Sequence, residues 1–281
     1  MDTSSTGRIV VGIDGTFASS EAAAWAARRA DERGCDVLLV SVLDDEWGVT
    51  DAHRAAAEHE LDAVSERIRR FRPHRGVDTL VVVGNPSVEL ARIATADDLL
   101  VIGTHKTGFV QGRLFGSRAL RLAAAASATL AVIPERVART RGGVVAGIDD
   151  TAAGWAAVAF AAREAERAGQ ELTLVLATGT PVGDEDGTRG AREMALVHEA
   201  ARVAAEHAPS LRPQVRVVRR APGGALLDLA ARAGLLVVGS SRRHEHGVSA
   251  LGPVASDVLL NVAAPTVIVH PALAERVLEP R

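Results

Sequence analysis

One stretch of this chain combines residue types suited to holding a phosphorylated ligand. It runs Gly103-Thr104-His105-Lys106-Thr107-Gly108, continues through Gly112, and ends at Gly116-Ser117. An apolar run over 98–103 feeds it, and the helix-forming sequence Ser117-Arg118-Ala119-Leu120 follows it. Glycines let backbone approach a ligand closely. The start of a helix offers unpaired N–H groups and partial positive charge, which suit phosphate oxygens. Ser117 adds a hydroxyl there, yet serine also caps helices with no ligand present, and spacing leaves both roles open. Two familiar phosphate motifs are excluded. Phe109-Val110 follow Gly108 where a P-loop requires Lys-Ser/Thr. Gly12-Ile13-Asp14-Gly15 lacks the third glycine of a dinucleotide fingerprint.

The elements that position this stretch occur twice. Residues 9–14 read IVVGID and residues 144–149 read VVAGID; LVIGT at 100–104 returns as LVVGS at 236–240. Asp149 stands 135 residues after Asp14, while Gly239 and Gly252 stand 136 after Gly103 and Gly116. The chain is an internal duplication. Its boundaries are read as 1–136 and 142–281, with the polar, basic 135–142 as linker. A length of 281 residues suits two domains, each able to bury a core.

In the first copy the pattern predicts strands at 9–13, 36–43, 77–84, 98–103 and 128–134. Helices are expected from Ser19 to a stop at Gly34, over 51–71, over 86–94 with Pro86 at its start, and after Gly116. In the second copy strands are expected near 143–149, 171–177, 215–219, 234–239 and 265–269. Its helices fall near 152–168, 190–207, 222–233 and 253–262, and 179–190 reads as a long surface loop. Strand–helix alternation with apolar strands predicts an α/β fold: two tandem flavodoxin-like (Rossmann-like) domains, each a five-stranded parallel sheet covered by helices on both faces. If strand 4 lies beside strand 1, a cleft opens at their carboxyl ends. It would gather Asp14 with Gly103 in one copy and Asp149 with Gly239 in the other.

Composition narrows the function. Aromatics are only 3% of residues against 47% hydrophobic, so the core is expected to be aliphatic. A net charge of −3 gives no bulk attraction to nucleic acid or anionic membrane. The lone Cys35 excludes an intramolecular disulfide and a cysteine zinc cluster. The opening MDTSSTGR lacks a signal-peptide core, and no uncharged apolar stretch reaches the roughly 18 residues of a membrane span. A soluble, cytoplasmic protein is expected. Arg242-Arg243-His244-Glu245-His246 reads as a solvated loop rather than a metal site. His53, His59 and His74 read as surface. Arg67, Arg69 and Arg70, and Arg219-Arg220, lack interleaved aromatics and read as solvated faces. No Ser-His-Asp order or nucleophile elbow appears.

The residues resemble the universal stress protein family in its tandem two-domain form, across nearly the whole chain. Two features carry the resemblance. One is the strand-1 ending Val-Gly-Ile-Asp before a small or polar turn. The other is a nucleotide signature after strand 4: Gly, two residues, Gly, nine residues, Gly, then Ser or Thr. Gly103, Gly116 and Ser117 match it, but Lys106 replaces the second glycine. In the second copy Gly239 and Gly252 match, while Arg242 and Pro253 replace the second glycine and the hydroxyl residue. Pro253 has neither N–H nor hydroxyl, although proline is comfortable in a first helical turn.

The resemblance implies ATP or a related adenine nucleotide, with or without magnesium, as ligand. Asp14 would lie at the adenosine end, with Ile13 and Val42 bordering the base. Gly103, His105 and Lys106 would follow the phosphate chain, with Gly116 and Ser117 holding phosphates and Arg118 adding charge beside them. Asp149, Gly239 and Gly252 would form a degenerate counterpart, so the first copy is expected to bind if either does. Asp14 is also a common turn-forming residue after a strand, and Val42 an ordinary core residue. The resemblance further implies a non-catalytic stress-response module whose two domains pair through their fifth strands like a dimer; a homodimer is open. A scaffold that binds no nucleotide and a weak ATPase are the competing readings.

Overall fold

The computed structural model describes residues 7–71, 76–105, 108–110, 113–115, 117–135, 142–179, 188–240, 243–245 and 248–270. It divides into two compact units, Met1–Arg136 and Val137–Arg281.

Unit 1 runs β1 (Ile9–Ile13), α1 (Phe17–Arg33), β2 (Val37–Leu43), α2 (Asp51–Phe71), β3 (Val77–Val83), α3 (Pro86–Ile93), β4 (Leu99–Thr104), β5 (Gly108–Val110), β6 (Arg113–Phe115), α4 (Ser117–Ala125) and β7 (Thr129–Pro134). Its sheet is parallel in the order β7-β4-β1-β2-β3. β1 pairs with β2 on one side (Ile9 with Val37) and β4 on the other (Ile9 with Leu99). That is the strand reversal that opens a crevice above β1 and β4. Helices α1 and α2 pack together, as do α3 and α4, one pair on each face.

Unit 2 repeats the path: β8 (Val144–Gly147), α5 (Ala152–Arg167), β9 (Leu172–Ala177), α6 (Thr188–His207), β10 (Gln214–Val218), α7 (Pro222–Ala230), β11 (Leu235–Gly239), β12 (Arg243–Glu245), β13 (Val248–Ala250), α8 (Pro253–Leu260) and β14 (Thr266–Val269). Its sheet order is β14-β11-β8-β9-β10, all parallel.

The core is built from strand residues that lose all contact with water, among them Ile9, Leu39, Leu100 and Leu130 in unit 1 and Leu174, Leu236 and Ile268 in unit 2. Fully burying each such side chain contributes about 1.5–3 kcal/mol. The core is not purely aliphatic: Trp25 on α1 and Phe160 on α5 are buried too.

The structure departs from the sequence reading in two further places. The segment after β4, read as a glycine-bearing loop, carries a short antiparallel hairpin, Gly108 facing Phe115. The segment after β11, read as a solvated loop, carries its counterpart, Arg243 facing Ala250. Three-residue strands fall below the length at which a periodic pattern is recognisable. In addition, β3 is not covered like a central strand: Leu80 and Val83 are exposed, because β3 is an outer strand of its sheet.

Candidate functional site

Unit 1 holds a cavity of about 680 Å³ at the carboxyl ends of β1, β2 and β4. That volume is in the range of small-ligand sites. Ile13, Val40, Val42, Leu90 and Leu122 give it an apolar wall. Thr104, His105 and Arg118 line its polar part. Ile13, Asp14, Val42, Gly103, His105 and Arg118, drawn from four separate stretches of sequence, therefore border one space. Lys106 and Gly116 lie outside the described residues. Ser117 opens α4, and its backbone alone is described.

Asp14 fixes the turn that starts α1. Its Oδ1 accepts hydrogen bonds from the Thr16 N–H at 3.3 Å and from the Thr16 hydroxyl. Thr16 in turn caps α1, its Oγ1 accepting the Ser19 N–H at 3.2 Å. Unit 2 has the same device: Asp149 Oδ1 accepts the Thr151 N–H at 3.1 Å, and Thr151 Oγ1 accepts the Gly154 N–H at 3.0 Å. The repeated aspartate is thus a turn-forming carboxylate in both units, and in unit 1 it also lines the cavity.

Gly103 is held by packing. A Cβ there would stand 2.3 Å from the Ala18 carbonyl carbon and 2.6 Å from the Ser19 nitrogen. Gly239 is the same in unit 2, at 2.6 Å from the Ala153 carbonyl carbon. Backbone of α1 thus fills the side on which a Gly103 side chain would stand, while Gly103 itself lines the cavity.

Charge is distributed unevenly around the cavity. Arg118 is exposed at the first turn of α4, where helix N-terminus and guanidinium both favour an anion. His105 Nδ1 lies 3.5 Å from Glu135 Oε2, at the ends of the adjacent strands β4 and β7. Carboxylates border the cavity as well: Asp14 and Asp44 line it. Glu60 reaches over from α2, where its Oε2 lies 3.1 Å from the point a Cβ on Gly15 would occupy; Gly15 adopts φ +76°. Glu60 accepts the Gly15 N–H, yet burial and the neighbouring Asp14 charge still hold its carboxyl above the ordinary carboxylate range. In unit 2 Asp150 takes the place of Gly15, and Arg192 of α6 pairs with it at 3.5 Å.

Among the described residues, no three His, Cys, Asp or Glu side chains gather as a metal site, and no helix is long and apolar enough to cross a membrane.

A profile of the universal stress protein family matches residues 6–134 and again residues 142–270. The chain belongs to the universal stress protein family. Universal stress protein Rv3134c of Mycobacterium tuberculosis is 34% identical over 258 residues, which cover 84% of this chain and 90% of that protein. Universal stress protein Rv2005c of the same species is 28% identical over 284 residues, covering 92% of this chain and 96% of that protein. The crystal structure of a universal stress protein from Archaeoglobus fulgidus shares the fold with a TM-score of 0.65 at 15% identity, over 95% of this chain and 99% of its own.

In this universal stress protein the sequence missed several cavity residues. Pro86, Ser87 and Leu90 of α3 and Asp44 after β2 line the space without belonging to any motif. The strand order is what brings them in: β2 and β3 run parallel to β1, so whatever follows them shares its rim. The signal available in sequence was Asn85-Pro86, a helix start, and Asn85 Oδ1 does cap α3 by accepting the Ser87 N–H at 3.0 Å. In unit 2 the start of α8 differs from that of α4. Gly252 is its N-cap without a side-chain hydrogen bond, and Pro253 occupies the first turn.

Proposed function

We propose that unit 1 binds an adenine nucleotide, ATP in the first instance, and that the protein acts as a non-catalytic, cytoplasmic stress-response module whose nucleotide state alters its surface for a partner. The observation that carries this reading is the unit 1 cavity, with an apolar wall for a base and an exposed arginine at a helix start for an anion. The donor set fits a nucleotide: His105 and Arg118 would face phosphates, Ile13 and Val42 the base, and Asp14 the adenosine end. Gly103, Gly116 and Ser117 complete the site by family resemblance, with Lys106 standing where the family signature has glycine. Magnesium, if it enters, enters with ATP. Membership of the universal stress protein family supports the regulatory role. Unit 2 is the weaker partner in this reading, since Pro253 removes a donor where α4 has Ser117.

The test is to purify the protein gently, denature it and identify any released nucleotide. About one adenine nucleotide per chain is the expected stoichiometry under the single-site reading. Val42→Trp fills the unit 1 cavity and should abolish it, whereas Ala177→Trp at the matching position of unit 2 should not. No released nucleotide together with no calorimetric ATP binding leaves the scaffold reading. Multiple turnovers of ATP would favour the ATPase.

A further inference from the structure

The rim of the unit 1 cavity changes chemistry from strand to strand. β1 lies between β4 and β2. Neighbouring strands stand about 4.8 Å apart, so about 10 Å separates the ends of β4 and β2. His105 and Arg118 stand at the β4 and α4 end, Asp14 and Thr16 follow β1, and Asp44 follows β2. Ser87, in the first turn of α3, joins the β2 end, since α3 packs on β2. A nucleotide carries phosphate, sugar and base in the same order, so the base falls to Val42, Asp44 and Ser87.

Both polar side chains keep hydrogen-bonding capacity for a ligand. Asp44 Oδ1 accepts the Glu46 N–H at 3.2 Å, which leaves Oδ2 for the cavity. The cap of α3 uses the Asn85 side chain and the Ser87 N–H at 3.0 Å, so the Ser87 hydroxyl takes no part in it. The duplication supplies a comparison. Gly179 follows Ala177 at the interval at which Asp44 follows Val42, and Gly223 follows Pro222 as Ser87 follows Pro86. At Gly223 even a β-carbon would lie 2.8 Å from Asp257 Cβ of α8. Unit 1 thus carries a carboxylate and a hydroxyl where unit 2 carries two glycines.

We propose that Asp44 and Ser87 read the base of the unit 1 ligand, selecting a nucleobase with an amino group over one with a carbonyl oxygen at the same ring position. The proposal rests on the nucleotide reading above. A carboxylate oxygen only accepts hydrogen bonds, so it pairs with an amino N–H and repels a carbonyl oxygen. The Ser87 hydroxyl donates as well as accepts, so it pairs with a ring nitrogen beside that amine. Together they match adenine, whose exocyclic amine donates beside an accepting ring nitrogen. Hypoxanthine has a carbonyl oxygen in place of the amine and leaves the carboxylate unpaired. An unpaired polar group in a binding site is what makes such discrimination large. The apolar wall of Ile13, Val42 and Leu90 holds either base and decides nothing between them.

The experiment measures the affinities of the full chain for ATP and for inosine triphosphate, which carries hypoxanthine, by calorimetry in wild type, Asp44→Asn and Ser87→Ala. Wild type should favour ATP about tenfold or more. In Asp44→Asn the amide oxygen retains the Glu46 N–H, and the amide nitrogen faces the cavity as a donor. It pairs with the carbonyl oxygen of hypoxanthine and not with the amine of adenine. The preference should therefore vanish or reverse, with an unchanged melting temperature. Both ligands meet the same folded fraction of each protein, so the ratio of affinities is insensitive to any loss of folded protein. Ser87→Ala should weaken ATP binding about threefold to tenfold. No preference in wild type, or the same preference in wild type and Asp44→Asn, overturns the proposal while the binding itself sustains the nucleotide reading. An ATP affinity unchanged in Ser87→Ala overturns the role of Ser87. Binding of neither nucleotide by wild type overturns the nucleotide reading and the proposal with it.

Discussion

Gly103 at the end of β4 and Ala18 in the first turn of α1 touch so closely that any β-carbon on Gly103 would lie 2.4 Å from the Ala18 carbonyl oxygen. The contact belongs to the fold, because Gly239 meets Ala153 in the same way in unit 2. It sits at the base of the cavity that Gly103 lines.

Gly103→Ala should therefore destabilise unit 1 by about 2 kcal/mol or more, since the clash is with backbone that cannot rotate away. Gly239→Ala should do the same to unit 2. Urea denaturation of the two variants measures this. A Gly103→Ala protein of native stability that has lost nucleotide would instead make Gly103 a ligand-contacting glycine.

Arg118 is exposed and borders the cavity, so its replacement should alter binding without altering the fold. A charge-assisted contact to phosphate contributes about 1.5–3 kcal/mol. Arg118→Gln should accordingly weaken ATP binding about tenfold at low ionic strength, with an unchanged melting temperature. The gap between variant and wild type should narrow as salt is raised, because the Debye length falls from about 10 Å at 0.1 M to about 3 Å at 1 M. A gap that ignores salt would place Arg118 outside the anion's field.

Two carboxyls make stability depend on pH in the same direction. Burial and Asp14 hold Glu60 above the ordinary range. Crowding by protein atoms, and then Asp150, raise Asp149 despite its hydrogen bonds from Thr151, although the residue is exposed overall. A carboxyl raised on folding binds its proton more tightly in the native state. Its destabilising effect is absent below the unfolded-state pKa and develops as pH rises through the folded-state pKa. Glu60→Gln and Asp149→Asn should thus raise the melting temperature at neutral pH and lose that advantage as pH falls below the ordinary carboxylate range. Melting curves across that window check the sign; an advantage that grows on acidification would contradict it.

Much of the fold was legible in the sequence. Mostly apolar runs closed by Gly, Pro or Asp marked the strands of the first copy, because a buried parallel strand needs apolar side chains, whereas β10 of the second copy reads Gln-Val-Arg-Val-Val and is followed by Arg219-Arg220. Pro86 marked the start of α3, whereas α1 begins at Phe17, ahead of the expected Ser19, because the Thr16 hydroxyl caps it. The offset of about 135 residues identified the two units as copies. The hairpins after β4 and β11 were not legible, since three residues carry no usable period.

What the chain determined by itself was local and repetitive: which segments are strands and helices, and which residue types close each turn. What the tertiary structure alone decided was who stands beside whom. Asp44, Ser87 and Arg118 come from distant segments and border one cavity only because β2 and β4 flank β1. Gly103, read from sequence as a phosphate glycine, is held against Ala18 because helix and strand approach to backbone distance. Glu60, which no motif marks, stands against Gly15 because α2 lies beside the turn after β1. Periodicity records burial along one segment, whereas a ligand site depends on distances between segments, and those are set by packing.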